Sequence, residues 1–322
     1  MINQTGDVIQ KIFFEPVVIG GNKLCILSNK VSPSMISWIL KYYDEKKISG
    51  ISLEVIITSV PENGISKIFH QGFLDLQHSF KKGGLNKFVC SYLYRGRTMN
   101  KNLYVWLKGE EPIKAFSFSG EFDQKSFLET GKNFVIEDAS SVYNKFEEMV
   151  SNSIYCTNSE VEEYVLIGSS DFSTISTLKD DDPNYVTLSL VNKKTGEPGK
   201  RSGLNWGQRK NRNRNEAYIP LPRKIAKSGF FPLGKRHFLV MTDDHHVLQL
   251  RVEQQNDKAI TTPASNAQLG EYFRNRLGLA NGAYIHGYDL ENYGRKDVSF
   301  YKFDDEQYYM DFSINFVDKI NE

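Results

Sequence analysis

No stretch of this chain approaches the roughly 18 consecutive apolar residues that a membrane-spanning helix needs. Its first residues, Met1 to Phe14, also lack the basic-then-apolar order of a secretory signal. Cysteine is scarce: Cys25, Cys90 and Cys156 are odd in number and widely separated, which fits neither a disulfide framework nor a zinc site with paired ligands. Reduced, buried thiols in a soluble, cytoplasmic protein are the expectation. Net charge is nearly absent too. Forty Lys and Arg face 39 Asp and Glu, a formal +1, so the total nominates neither a nucleic acid nor any other charged partner. Phosphate loops are missing, because Gly20-Gly21-Asn22-Lys23 and Gly196-Glu197-Pro198-Gly199-Lys200 do not have the required spacing.

What the chain does have is length and apolar content. Its 322 residues, 40% of them hydrophobic, amount to about two domains at about 100–200 residues each. From Phe13 to about Asn158, short β-branched runs alternate with amphipathic stretches, the texture of an α/β domain. Strands are expected at 23–28, 51–60, 87–94, 102–107 and 113–119. Helices are expected after Ser32-Pro33, over 66–82 with Gly83-Gly84 as its end, and over 141–154. An acidic stretch, Lys179-Asp180-Asp181-Asp182-Pro183, marks a boundary, placed between residues 175 and 176. Beyond it come short strands spaced by turns (VTLSLV, AYIPLP, HFLVMT, HVLQLRV, AYIHG and VSFYKF) and one helix over 266–278, a pattern for a mainly β barrel or sandwich.

The even total hides a segregated charge. Between Lys193 and Arg236 stand thirteen basic residues against Glu197 and Glu216, a net of +11 on 44 residues, whereas residues 1–179 carry 19 basic and 20 acidic, a net of −1. Within the basic segment Asn205, Trp206, Gln208, Arg209, Lys210, Arg212, Arg214 and Asn215 lie close in sequence. Arg and Lys contact phosphates, and Arg, Asn and Gln make two-point contacts to base edges. Nucleic acid is the favoured partner over a merely solvated loop, and double-stranded DNA over RNA, since only Trp206 and Tyr218 offer stacking platforms there. Trp206 is expected to pack beneath the segment.

Several strings carry a resemblance: VSPSMISWIL, GISKIFHQGF and NLYVWLKGEEPIKAFSFSGEF in the first half, and GLNWGQR, NEAYIPLP, Phe230-Phe231-Pro232, LGEYFRNRLGL and YGRKDVSFYK in the second. The chain resembles restriction endonucleases that join an N-terminal phospholipase-D-type nuclease domain, a mixed sheet flanked by helices, to a C-terminal B3-like pseudobarrel that recognises DNA. The resemblance implies two domains (1–175 and 176–322), a homodimer through the first, and no metal or other cofactor. It also implies a mechanism in which His-x-Lys motifs from two subunits meet. One histidine attacks phosphorus, the other protonates the leaving oxygen, and the lysines neutralise phosphate charge.

Carried over residue by residue, His-x-Lys falls on Asn100-Lys101-Asn102, and the Gly-Ser-x-Asn string of the family on Phe118-Ser119-Gly120-Glu121. Asn100, Asn102, Ser119 and Glu121 are thus the positions of the nuclease motif. An amide has no usable pKa near neutrality and no charge to offer a phosphate, and Glu121 would repel one. The inherited site is expected to be inert, with cleavage lost or delegated to a separate nuclease subunit; the departure at Glu121 as well favours natural divergence. The rival reading is a non-enzymatic, sequence-specific DNA-binding regulator dimerised by its α/β domain. His70 is expected to pack its helix and His245-His246 to form a hairpin turn, and the string Glu121 to Lys125 has no separate aspartate with which to hold a metal.

In the second half, the resemblance places two DNA-gripping arms: an early one around Asn205–Asn215, and a late one near Asp289–Lys302 with Tyr293, Arg295, Lys296 and Asp297. Arg274 and Arg276 are open between phosphate contact and closure of their helix.

Overall fold

The computed structural model describes residues 8–81, 86–128, 133–168 and 182–314. The chain divides into two compact units, 1–170 and 171–322. The boundary expected at 175/176 and the helix end at Gly83-Gly84 lie outside the described residues.

The first unit is built on a seven-stranded mixed sheet. Its strands are β1 (Lys23–Ser28), β2 (Ser52–Ile57), β4 (Lys87–Leu93), β5 (Asn102–Lys108), β6 (Glu111–Phe118), β7 (Phe134–Glu137) and β8 (Ser153–Tyr155), in the order β7-β6-β5-β1-β2-β4-β8. A two-residue β3 (Ile65–Ser66) pairs separately with β9 (Ile167–Gly168). Strands β1, β2 and β4 are parallel, and the others join antiparallel. The parallel centre is covered on both faces, which is why β1 and β2 read as almost unbroken apolar runs. Helix α1 (Pro33–Glu45) links β1 to β2; Ser32 caps it through the Ser34 amide, and Pro33 starts it. Helix α2 (Lys67–Lys81) leads towards β4. Between β6 and β7 comes the short α3 (Gln124–Leu128), and after β7 comes α4 (Ala139–Val150).

Helix α4 lays Val142 and Phe146 on one face of the sheet, against Cys25, Leu27, Val105 and Leu107. On the other face Phe13, Tyr104, Phe122 and Phe127 pack ring to ring. Trp106 Nε1 donates to the Ile12 carbonyl at 2.7 Å, and Tyr43 Oη donates to that of Phe13 at 2.8 Å, so an N-terminal helical segment, residues 8–18, is held against the sheet by aromatic side chains. The three thiols are buried, as expected.

Two local expectations fail here. Ser153-Ile154-Tyr155 does not continue α4 but pairs with Leu93-Tyr92-Ser91 at the sheet edge; the helical composition of 141–154 gives way to a tertiary ladder. Phe134–Glu137, a strand the sequence pattern did not reveal, is short and half exposed and so carries little periodic signal.

The second unit is a seven-stranded sheet in the order β10-β15-β16-β12-β13-β14-β11. The members are β10 (Tyr185–Ser189), β11 (Ile219–Pro220), β12 (His237–Thr242), β13 (Val247–Glu253), β14 (Ala259–Thr261), β15 (Asp297–Lys302) and β16 (Gln307–Asp311). The outer strands β10 and β11 approach one another, so the sheet curls nearly closed. Leu188, Phe231, Phe238, Leu250, Phe300 and Tyr308 fill it, and Tyr308 Oη donates to the Phe230 carbonyl at 2.6 Å. Helix α5 (Asn266–Arg276), capped by Ser265, and helix α6 (Gly287–Tyr293) belong to this unit.

AYIHG is not a strand: Ile285 is held by a side chain rather than by a ladder. Of AYIPLP only Ile219–Pro220 pairs. Strands β14 and β16 were unforeseen. Among the described residues, no helix is long and apolar enough to cross a membrane.

Candidate functional site

In the first unit Asn100 and Asn102, the positions expected for the nuclease motif, sit where β5 begins, beside the end of β1. The register that sets Leu27 opposite Leu103 brings Asn102 alongside Ser28. Asn102 is only 9% exposed, and both ends of its amide are engaged. Its Oδ1 accepts from the Asn29 backbone N–H and from Ser28 Oγ, each at 3.0 Å, while Nδ2 donates to the Gly120 carbonyl at 2.6 Å. These partners set the amide's orientation, since the Asn29 N–H needs an acceptor and the Gly120 carbonyl a donor.

Asn29 extends the network. Its Nδ2 donates to the Met99 carbonyl at 2.7 Å, its Oδ1 accepts from Thr58 Oγ1 at 2.7 Å, and its carbonyl accepts from Ser59 Oγ at 2.5 Å. The amide at 102 thereby joins the ends of β1, β2, β5 and β6. A lysine there would have three donors and no acceptor.

The other motif positions face outward. Asn100 is exposed on a recess of about 380 Å3 shared with Arg97, Lys101 and Lys145. Ser119 Oγ accepts from the Asn133 N–H at 3.2 Å. Glu121 is half exposed and pairs with Lys30 at 3.2 Å, which offsets its charge. Of the two helical histidines, His70 Nδ1 lies 2.9 Å from Tyr92 Oη, with burial holding its pKa down, and His78 Nδ1 donates to Leu74 O within its own helix. His245, in a left-handed turn conformation, and His246 close the β12–β13 hairpin.

In the second unit the early arm is a 3-10 turn, Gly203–Gln208, followed by a loop. Arg209, Lys210, Arg212 and Arg214 are exposed on it. Arg212 stacks over Trp206 with its guanidinium 4.0 Å from the ring centroid and pairs with Glu216; Trp206 also meets Tyr218 edge to face. The tryptophan therefore supports the arm, as expected. Arg209 Nε donates to Arg201 O at 2.8 Å, and Gln208 Oε1 accepts from Arg214 at 3.1 Å.

Asn205 and Asn215, expected among the base-reading residues, are instead internal clamps. Asn205 is fully buried, donating to the Ile285 carbonyl at 2.7 Å and accepting from its N–H at 2.9 Å. Buried Asn215 accepts from the Gly282 N–H at 2.6 Å and donates to Glu271 at 3.1 Å.

Arg274 explains how the arm is anchored. It has no exposed surface, and its guanidinium donates to four backbone carbonyls: Ala283 at 2.8 Å, Gly270 at 3.1 Å, Leu204 at 3.4 Å and Asn215 at 3.5 Å. Burial holds its pKa below the usual arginine value, yet the group stays charged. It is not a phosphate contact.

Arg276 is internal too, with Asp243 held bidentate at 2.9 and 2.6 Å and contacts to Tyr272, Tyr293 and the Phe312 carbonyl. Burial works against its charge, but the Asp243 carboxylate more than offsets that and raises its pKa. The late arm is also largely consumed within the fold. Arg295 bonds Asp297, Asp311, Ser299 and the Ser313 carbonyl, and Tyr293 donates to the Phe312 carbonyl at 2.6 Å. Tyr293 and Arg295, expected in the late arm, make these bonds within the domain. Lys296, paired with Glu291 at 2.5 Å, and Asp297 reach the surface.

With this geometry in view, residues 6–163 match the family described as the NgoFVII restriction endonuclease N-terminal PLD domain, PLD standing for phospholipase D. Residues 178–304 match the NgoFVII C-terminal B3-like DNA-binding domain. The chain belongs to this restriction endonuclease family. It therefore has a phospholipase-D-type domain and a DNA-binding domain, and no His-x-Lys string occurs in its sequence. Among curated proteins, none matches. A solved structure, NucT from Helicobacter pylori, is similar at 14% identity over 47% of this chain and 92% of that one, with a TM-score of 0.32.

Sequence reasoning weighed Arg274 only as a phosphate contact or a helix-closing residue and missed Gly270, though a glycine inside helix α5 was a usable signal. A Cβ on Gly270 would overlap the Asn215 carbonyl oxygen, and one on Gly207 would overlap that of Asn213.

Two outcomes follow from these contacts. Gly270→Ala pushes the arm base off helix α5 and lowers stability by about 1–3 kcal/mol, read by urea denaturation; an unchanged midpoint would mean the arm moves away freely. Asn102→Lys strands the Asn29 N–H and costs about 1–3 kcal/mol. Equal stability of that variant would show that the network does not depend on the amide.

Proposed function

We propose that this chain binds a specific double-stranded DNA sequence through its C-terminal domain, while its N-terminal phospholipase-D-type domain is chemically silent and holds two copies together. Phosphodiester cleavage is lost, or is supplied by a separate nuclease subunit; the protein acts in the cytoplasm, where DNA is accessible to it. The observation that carries this reading is the network around Asn102. A histidine pair would give the family chemistry its nucleophile and acid, and a lysine pair its positive charge. Here the lysine position is a buried amide whose acceptor oxygen serves a backbone N–H, the histidine position is an exposed amide, and the last motif residue is a carboxylate already paired with Lys30. Three positions changed in concert, one of them built into the fold, support long-standing loss rather than a single lesion.

Binding rests on the exposed cations of the early arm, Arg209, Lys210, Arg212 and Arg214. Phosphate capture asks Arg212 to exchange Glu216 for a phosphate oxygen while staying stacked on Trp206, which keeps its guanidinium plane fixed. The experiment is a selection of bound fragments from a randomised duplex pool in chelator, each fragment sequenced for enriched motif and for broken ends. A defined motif with intact ends is expected; breaks at a fixed offset would overturn the silent N-terminal domain.

The arm has a separate check. Arg212→Ala with Arg214→Ala should flatten the dependence of log affinity on log salt by up to about 2, at about 0.9 for each phosphate that is no longer neutralised. An unaltered slope would remove these two residues from the interface.

A further inference from the structure

We propose that Tyr284, His286 and Tyr288 form a stacking shelf for an unpaired nucleobase, fixed beside the early arm. The proposal rests on the DNA-binding reading of this domain and adds the class of group that the arm's neighbourhood receives.

The shelf belongs to the segment 282–288, which is pinned along its backbone. The Gly282 N–H donates to Asn215 Oδ1 at 2.6 Å, and Gln208 Nε2 donates to the Gly282 carbonyl at 3.1 Å. Arg274 holds the Ala283 carbonyl, and Asn205 holds both the N–H and the carbonyl of Ile285. Glu197 accepts from the Gly287 N–H at 2.7 Å. Three of these clamps, Asn205, Gln208 and Asn215, come from the early arm itself, so arm and shelf share one rigid base.

Pinning fixes which side chains face out. Ile285 and Gly287 are buried, whereas His286 and Tyr288 are exposed and Tyr284 is half-buried. The outward rings form a ladder: Tyr284 and His286 have centroids 4.6 Å apart, and His286 and Tyr288 lie 4.9 Å apart with planes only 13° from parallel. Tyr288, at one end, is 56% exposed. Large aromatic surface left open to water next to a basic arm suits a ligand with both a π face and a negative backbone.

A paired base inside a duplex has both faces covered by its neighbours, so it cannot stack on the shelf. An unpaired base has a free face, whether it is extruded from the bound duplex or lies in a single-stranded stretch. The exposed cations of the arm can hold its flanking phosphates. An apolar peptide gains nothing from those cations, which argues for the nucleotide.

The test uses the full chain and three random-sequence 30-mer probes carrying 2-aminopurine, a base whose fluorescence falls on stacking: a fully paired duplex, a duplex with the 2-aminopurine as a single-base bulge, and a single strand. The bulged duplex should bind about five- to tenfold more tightly than the paired one, with quenching on binding. Tyr288→Ala combined with His286→Ala should abolish both preference and quenching while affinity for the paired duplex changes less than about twofold, and Tyr288→Phe should retain both. A fluorescence change in the paired probe as well would assign the base to extrusion; a change confined to the bulge and single strand would assign it to pre-existing unpaired DNA. Paired-duplex binding with no preference for the bulge, or quenching that survives the double variant, overturns the shelf alone. Failure to bind any probe would overturn the DNA reading of the domain together with it.

Discussion

A single buried guanidinium organises the DNA-binding half of this protein. Arg274 has neither solvent nor a bonded carboxylate for its charge; it is satisfied by carbonyls of Leu204, Asn215, Gly270 and Ala283. Those carbonyls belong to the first turn of the early arm, the arm's end, helix α5 and the segment leading to α6. Leaving such a charge without partners would cost several kcal/mol, so the four segments are compelled to converge. The close approach of the Asn215 carbonyl to helix α5 is possible only because residue 270 has no side chain. The exposed arginines of the arm can act as a unit because what lies beneath them cannot shift.

The same logic, with an amide in place of a cation, governs the nuclease half. Asn102 has one acceptor and one donor group, and its surroundings use both. Through them the asparagine knits the ends of β1 and β5 to the turn after β6. Nearby, Lys30 places a cation against the Glu121 carboxylate. In both halves, then, polar residues that look functional by type are held by backbone groups, and this separates residues that build a site from residues that touch a ligand.

Much of the architecture was legible because it rests on local periodicity. Strands β1, β4 and β5 are mostly buried, so their apolar runs announce them to within one residue, while β2, expected to residue 60, stops at Ile57. Helix α1 is announced by Ser32-Pro33. Where periodicity fell short, so did legibility: β7 is four residues long and half exposed, Ser153–Tyr155 retains a helical composition, and Ala283–Gly287 has strand-like residues but finds clamps where a partner strand would be. The motif positions were legible by residue type, yet nothing local distinguishes Asn102, turned inward, from Asn100, turned outward.

By itself the sequence determined the two-part α/β and mainly β character, the concentration of positive charge between Lys193 and Arg236, and the absence of any His-x-Lys string, since each follows from residue identity and short-range pattern. Only the tertiary structure decided which polar side chains of the arm face solvent, Asn205 and Asn215 being turned inward and Arg209, Lys210, Arg212 and Arg214 outward. It also decided that three aromatic rings some 70 residues further along would stand beside them. The physical reason is that exposure depends on partners distant in the chain: a clamp between Asn205 and Ile285 spans 80 residues, a separation that no local pattern records.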